Sequence, residues 1–288
     1  MPAVSVISGA SGFIGGYLME RLEHLQHKVI PIPRAFLFKE KDLKEFLRLN
    51  EPNYIFHLAS YGNHSYQISE EEIVKTNIMG TFNLLEASKN IPYKAFINFG
   101  SSSEYGKKER AMSEYDLPEA DTFYGVTKVA GTYLACAFAT QFKKPIVTIR
   151  PFSVYGPGEA DFRFVPTIIR CLIKQKTLFL ANAVHDWIYI DDFLEGLLKV
   201  MENISLLPGE IINIGTGQQF SNEEIVGIIE NFTGQKIEKK YISCLRSYDS
   251  MNWQANNYKL KQLGWEQKYT IEAGLKKTYE YYKQRFEA

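Results

Sequence analysis

Apolar residues gather into short continuous runs separated by longer segments of helical period. The runs are Val4 to Ser8, Lys28 to Ile32, Tyr54 to Leu58, Ala95 to Phe99, Ile146 to Arg150 and Ile211 to Ile214. A run without polar alternation predicts a strand covered on both faces, and hence a parallel sheet wrapped by helices. Between the runs, Phe13 to Leu25, Asp42 to Leu49, Glu70 to Ser88 and Tyr124 to Phe142 carry a helical period. Strand and helix in alternation predict an α/β, doubly wound fold. After about residue 155 the rhythm breaks into the turn-rich stretch YGPGEADF, a helix near Pro166 to Lys174, and a last helix rich in tyrosine. The expected division is a sheet-forming part over 1–155, with returns near 186–216, and a smaller interleaved cap over 156–288.

Composition narrows the partners. The 33 Lys+Arg balance the 33 Asp+Glu, and no basic run exceeds two residues, so nucleic acid and anionic membranes are not expected partners. Cys136, Cys171 and Cys244 lie far apart without metal-ligand spacing, which reads as a reducing cytoplasm and no structural zinc. The start, MPAVSVISGASGFIGG, lacks a basic leader, and no apolar run reaches about 18 residues, so neither an export signal nor a membrane span is expected. The histidines at 24, 27, 57, 64 and 185 form no ligand set, and no metal is expected.

Chemistry enters at the first turn. Gly9, Gly12 and Gly15 follow the first strand and open the first helix, where glycines permit a tight turn and close approach of a pyrophosphate to the helix N-terminus. This is the dinucleotide-binding (Rossmann) arrangement, and Ser11, Phe13 and Ile14 in the same turn join its candidate contacts. The second strand ends in Pro33-Arg34 where an NAD site usually carries an acid. A cation there suits a 2′-phosphate, so NADP is preferred, with NAD as the alternative.

Tyr124-Gly-Val-Thr-Lys128 opens a helix and places tyrosine and lysine on one face. An adjacent ammonium favours phenolate, which suits Tyr124 to proton transfer at a hydroxyl or carbonyl. Ser101, Ser102 and Ser103 follow the fourth strand, on the side where the crevice of a doubly wound sheet opens. Asp191 and Asp192 adjoin after a strand and read as helix capping rather than as a catalytic pair. The aromatics Tyr279, Tyr281, Tyr282 and Phe286 read as helix-packing surface.

With these motifs assembled, the chain resembles the extended short-chain dehydrogenase/reductases that act on nucleotide sugars. The resemblance rests on GASGFIG, HLAS at 57–60, Asn77-Ile-Met-Gly-Thr81, SSSEYG, YGVTK, RPFSVYGPG from Arg150, WIYIDDF from Trp187, NIGTG from Asn213, and LGW. It implies hydride transfer at the sugar, with Tyr124 as acid/base, Lys128 lowering its pKa, and one of Ser101, Ser102 and Ser103 fixing the sugar oxygen. It places Leu58, Ala59, Ser60 and Pro151 beside the cofactor with the glycine turn. Asn77 resembles a helix asparagine that supports a proton relay, or braces a helix kink. Glu104, Ser153, Phe164, His185 and Arg246 fall at substrate-side positions. Ser153 and His185 replace a usual asparagine and arginine, and Arg246 resembles the remaining phosphate-binding arginine. His185 reads equally as a strand-end packing residue.

The preferred reading is an NADPH-dependent reductase of a nucleoside-diphospho-4-keto-6-deoxyhexose, because net reduction draws on NADPH and Arg34 suits that cofactor. The alternative is a nucleotide-sugar 4-epimerase, or a decarboxylase or dehydratase, with retained NAD. A non-catalytic dinucleotide-sensing scaffold ranks last, since Tyr124 and Lys128 are both intact. The resemblance also implies a homodimer through a four-helix bundle of the segments Glu70 to Ser88 and Tyr124 to Phe142. On the latter, Val129, Tyr133, Ala137 and Phe138 exceed what one buried face needs.

Overall fold

A computed structural model describes residues 2–64, 66–242 and 251–287. The strands are β1 (Val4–Ser8), β2 (Lys28–Ile32), β3 (Tyr54–His57), β4 (Ala95–Phe99), β5 (Ile146–Pro151), β6 (Ser153–Tyr155), β7 (Leu178–Ala181), β8 (Val184–His185), β9 (Trp187–Tyr189), β10 (Ile211–Ile214), β11 (Phe220–Ser221) and β12 (Lys239–Ile242). The helices are α1 (Phe13–His24), α2 (Glu40–Asn50), α3 (Glu70–Val74), α4 (Gly80–Ser88), α5 (Phe123–Phe142), α6 (Phe164–Ile173), α7 (Ile190–Glu202), α8 (Asn222–Thr233), α9 (Tyr258–Gln262) and α10 (Ile271–Glu287). A π-helical stretch, Lys75–Met79, joins α3 to α4.

All six apolar runs are strands of one parallel sheet in the order β10-β5-β4-β3-β1-β2. Alternate residues of each strand enter opposite cores: Ile7, Phe56, Ile97 and Val147 on one face, Val6, Ile55, Phe96 and Ile146 on the other. With both faces buried, most positions are apolar, and the polar ones, such as Ser8, His57 and Asn98, are buried and hydrogen-bonded. Pro31, lacking an N–H, is tolerated because β2 is the sheet edge.

From β2 the chain crosses β1 to place β3 on the other side, so a crevice opens between the C-terminal ends of β1 and β3. Beyond Tyr155 the chain builds the small pairs β6-β9, β8-β11 and β7-β12 and returns to the sheet through β10. The C-terminal aromatics pack as helix surface: Tyr279 meets Phe232, and the Tyr282 hydroxyl donates to the Glu159 carbonyl. Among the described residues, no helix is long and apolar enough to cross a membrane.

Candidate active site

The first turn leaves β1 through Gly9 at φ +75°, a conformation that disfavours a side chain. A Cβ on Gly9 would lie 2.7 Å from the Ala59 nitrogen, and one on Gly15 would lie 2.4 Å from the Gly9 carbonyl. The turn is thus pressed against the strand end that carries Leu58, Ala59 and Ser60. Gly12 caps α1 without a side chain, so the helix N-terminus presents backbone alone. Ser11 is exposed and Phe13 and Ile14 are half-buried beside it. This cradle fits a dinucleotide pyrophosphate. Replacing Gly9 by alanine is expected to weaken NAD binding about tenfold or more and to lower Tm, checked by calorimetry of the purified variant.

Beneath the cradle lies a polar strut that sequence reasoning passed over within HLAS. Buried His57 bridges the hydroxyls of Ser8 at 2.6 Å and Thr81 at 2.9 Å, and the Ala59 N–H donates to Ser8 Oγ at 3.3 Å. Burial pushes the imidazole down to about 3, so it stays neutral and structural.

Arg34 begins a 3₁₀ turn after β2 and is exposed; its guanidinium stands 3.8 Å from Glu72 and over the Tyr61 ring. Asn77 lies inside the π-helical stretch. Its amide donates to the Tyr61 carbonyl at 2.8 Å and to Thr127 Oγ1 at 2.9 Å, while its oxygen accepts the Tyr61 N–H at 2.9 Å. Those bonds brace the helix irregularity against the loop after β3 and against α5.

Thr122 caps α5 by accepting the Gly125 N–H, which sets Tyr124 and Lys128 one turn apart at the helix start. Tyr124 is half-buried. Lys128 is buried, and its ammonium donates to the Phe99 carbonyl at the end of β4. Burial pulls Lys128 down to about 8, against the opposing pull of Glu104. The serine turn packs directly on this helix: a Cβ on Gly125 would lie 2.6 Å from the Ser103 carbonyl. Ser101 Oγ accepts the Ser103 N–H at 3.1 Å, Ser102 Oγ accepts the Trp253 indole N–H at 3.1 Å, and Ser103 is half-buried.

Two expectations require correction. Glu104 does not face a ligand: it is wholly buried and paired with Arg150 at 2.7 Å, because the 3₁₀ turn Ser102–Glu104 rotates it inward. Nor does Asp192 cap its own helix. Its carboxylate accepts the N–H groups of Lys268 and Tyr269, fastening the chain after LGW onto the first turn of α7.

On the cap side, Phe164 stacks on Trp187 with ring centroids 5.7 Å apart, and His185 meets Trp187 edge-on at 5.4 Å and Trp253 at 6.4 Å. Ser153 pairs with Trp187 in the β6-β9 ladder. Pro151, at the end of β5, pairs with Ile214 of β10. Trp253 was not foreseen; no local motif marks it, and only the folded chain brings it to the serine turn. Asp186 ties this region together by accepting the N–H groups of Thr216, Gly217 and Ala255, and burial pushes its carboxyl up to about 6. Arg246 lies outside the described residues.

Residues 5–215 match the model of the NAD dependent epimerase/dehydratase family. The chain belongs to this family. It is an enzyme of the extended short-chain dehydrogenase/reductase type, as the family model and its relatives show. An uncharacterized UDP-glucose epimerase of Bacillus subtilis (strain 168) is 31% identical over 293 residues, spanning 90% of each chain. The crystal structure of a UDP-glucuronic acid 4-epimerase from Bacillus cereus, in complex with UDP-glucuronic acid and NAD, superposes with a TM-score of 0.86. That enzyme is 29% identical, and the match covers 98% of this chain and 99% of that one. A CDP-abequose synthase of Salmonella typhimurium is 26% identical over 300 residues, covering 94% of this chain and 95% of its own.

Proposed function

We propose that this chain is a UDP-sugar 4-epimerase that retains NAD and inverts C4 by oxidation followed by re-reduction. The likeness to the Bacillus cereus 4-epimerase over almost the whole of both chains carries this reading, and it reverses the preference for net reduction drawn from Arg34. What supports NAD over NADP is that the solved relative holds NAD, while Arg34 is exposed and shared with Glu72.

NAD, when bound, supplies the acceptor that takes and returns the C4 hydride. Gly9, Ser11, Gly12, Phe13, Ile14, Gly15, Leu58, Ala59, Ser60 and Pro151 are assigned to hold it. Tyr124 accepts the C4 hydroxyl proton as the ketone forms and returns it after the sugar presents its other face. Lys128 keeps the phenolate available, and one hydroxyl of the serine turn orients the sugar oxygen. Phe164, Ser153, His185 and Arg246 are assigned to the nucleotide-sugar, with the last two beside the diphosphate.

Denaturing freshly purified protein should release NAD, and incubation with UDP-glucose or UDP-glucuronate should yield the C4 epimer without added cofactor. An empty protein that prefers NADPH and reduces a 4-keto-6-deoxy sugar would establish the second reading, which the CDP-abequose synthase likeness favours.

We also propose a homodimer. Met79 and Phe82 on the π-helical stretch and α4, with Val126 and Tyr133 on α5, remain exposed on adjoining helices. Phe138, expected among these, is itself buried, covered by the exposed Phe82 and Phe142 rings. Light scattering at micromolar concentration should give twice the chain mass, and Tyr133→Arg should shift it to the monomer. A monomeric wild type would reject the dimer.

A further inference from the structure

Behind the serine turn lies a buried polar cluster that the proposed reaction does not use. Glu104 Oε1 accepts the Ser101 N–H at 2.8 Å and the Thr132 hydroxyl at 2.9 Å. Its Oε2 accepts from Arg150 Nε at 2.9 Å and Nη2 at 2.7 Å. Arg150 in turn lies 4.4 Å from the Tyr105 ring centroid, and the Tyr105 hydroxyl donates to Asn213 Oδ1 at 2.6 Å. One carboxylate therefore joins the serine turn to β5 and to α5. Thr132 stands one helical turn beyond Lys128, so the contact on α5 falls on the lysine's own stretch of helix. The space is committed: a Cβ on Gly100 would lie 2.4 Å from Glu104 Oε1.

Burial pushes the Glu104 carboxyl up, and pairing with Arg150 and the Ser101 and Thr132 hydrogen bonds oppose that and hold the carboxylate. We propose that Glu104 is a positioning residue, whose carboxylate locks the serine turn to the helix carrying Tyr124 and Lys128 and keeps a negative charge behind the Lys128 ammonium. The assignment rests on Tyr124 and Lys128 being the catalytic pair. The groups facing this cluster are Arg150 from β5, His57 from β3, Lys128 and Cys136 from α5, and Tyr105 and Glu114 from the loop after β4. Among them, Glu104 is the charge that draws Lys128 back toward its protonated form.

The test uses the NAD-loaded enzyme and two readouts. The first needs no substrate: the pH titration of the Tyr124 tyrosinate absorbance, isolated by subtracting the same protein carrying Tyr124→Phe. By releasing the Lys128 proton below the pH at which Tyr124 titrates, Glu104→Gln should raise its midpoint by about one pH unit. The second is turnover of the UDP-sugar, where kcat should fall about tenfold with KM within about twofold. If Glu104→Gln does not fold, Glu104→Gln with Arg150→Gln removes both charges and leaves no uncompensated buried ion, and a smaller shift in the same direction is expected. Thr132→Val cuts the helix contact alone and should lower kcat about threefold, with Thr132→Ser restoring it.

A folded variant with altered Tm but the wild-type tyrosinate midpoint makes Glu104 merely structural and overturns the proposal, as does Thr132→Val at wild-type kcat. Failure of the catalytic reading looks different. There, subtracting the Tyr124→Phe protein leaves no tyrosinate perturbed from the ordinary range, whatever Glu104 carries.

Discussion

Tyr124→Phe is expected to lower kcat by about a thousandfold while leaving NAD bound and the fold intact. Proton transfer by a positioned side chain contributes about 10²–10⁴ in rate, and phenylalanine removes only the atom that carries the proton. The ring is half-buried, and the cap of α5 by Thr122 does not involve it, so thermal stability should change little. Stopped-flow or discontinuous sugar assays, alongside the bound-nucleotide content, check this directly. Unchanged turnover would remove Tyr124 from the mechanism.

Lys128→Met should be comparably severe, about a hundredfold or more in kcat, since it deletes the charge that favours the phenolate and the tether to the Phe99 carbonyl. The same logic yields a pH dependence. Burial brings Lys128 down to about 8, so the wild-type rate should decline as pH rises through about 8 and the ammonium is lost. The linkage sign separates this from unfolding. A lysine depressed in the folded state binds fewer protons there than in the unfolded chain between about 8 and its ordinary 10.5. Its contribution to stability therefore rises with pH across that window, so an alkaline fall in kcat with unchanged or higher Tm is the predicted signature. A flat kcat profile up to pH 10 would contradict the role given to Lys128.

The sheet was legible because its inner strands are buried on both faces, which leaves largely apolar runs, and because Gly9, Gly12 and Gly15 mark the switch-point turn. The Tyr124–Lys128 pair was legible for a local reason: residues four apart on a helix share a face. What escaped was decided by contacts distant in sequence. Trp253 reaches Ser102 across 151 residues, and no pattern near it announces a site. Glu104 was misplaced because adjacency to the serines suggests a shared ligand, whereas a single 3₁₀ turn points it at Arg150, 46 residues away. Arg34 carried too much weight: it lies exposed beside Glu72 and over the Tyr61 ring, and a cation at that strand end does not by itself decide between the two dinucleotides. The π-helical stretch around Asn77 has no signature in a hydrophobic period that simply reads as one long helix.

The central claim is internal oxidation and re-reduction at C4 on retained NAD, and a UDP-sugar carrying deuterium at C4 tests it most directly. The account predicts that the enzyme, with no cofactor added, converts the labelled sugar to its C4 epimer with the deuterium still at C4 and none passed to free dinucleotide. Loss of the label to solvent, or turnover only when NADPH is supplied with a 4-keto sugar, would contradict it.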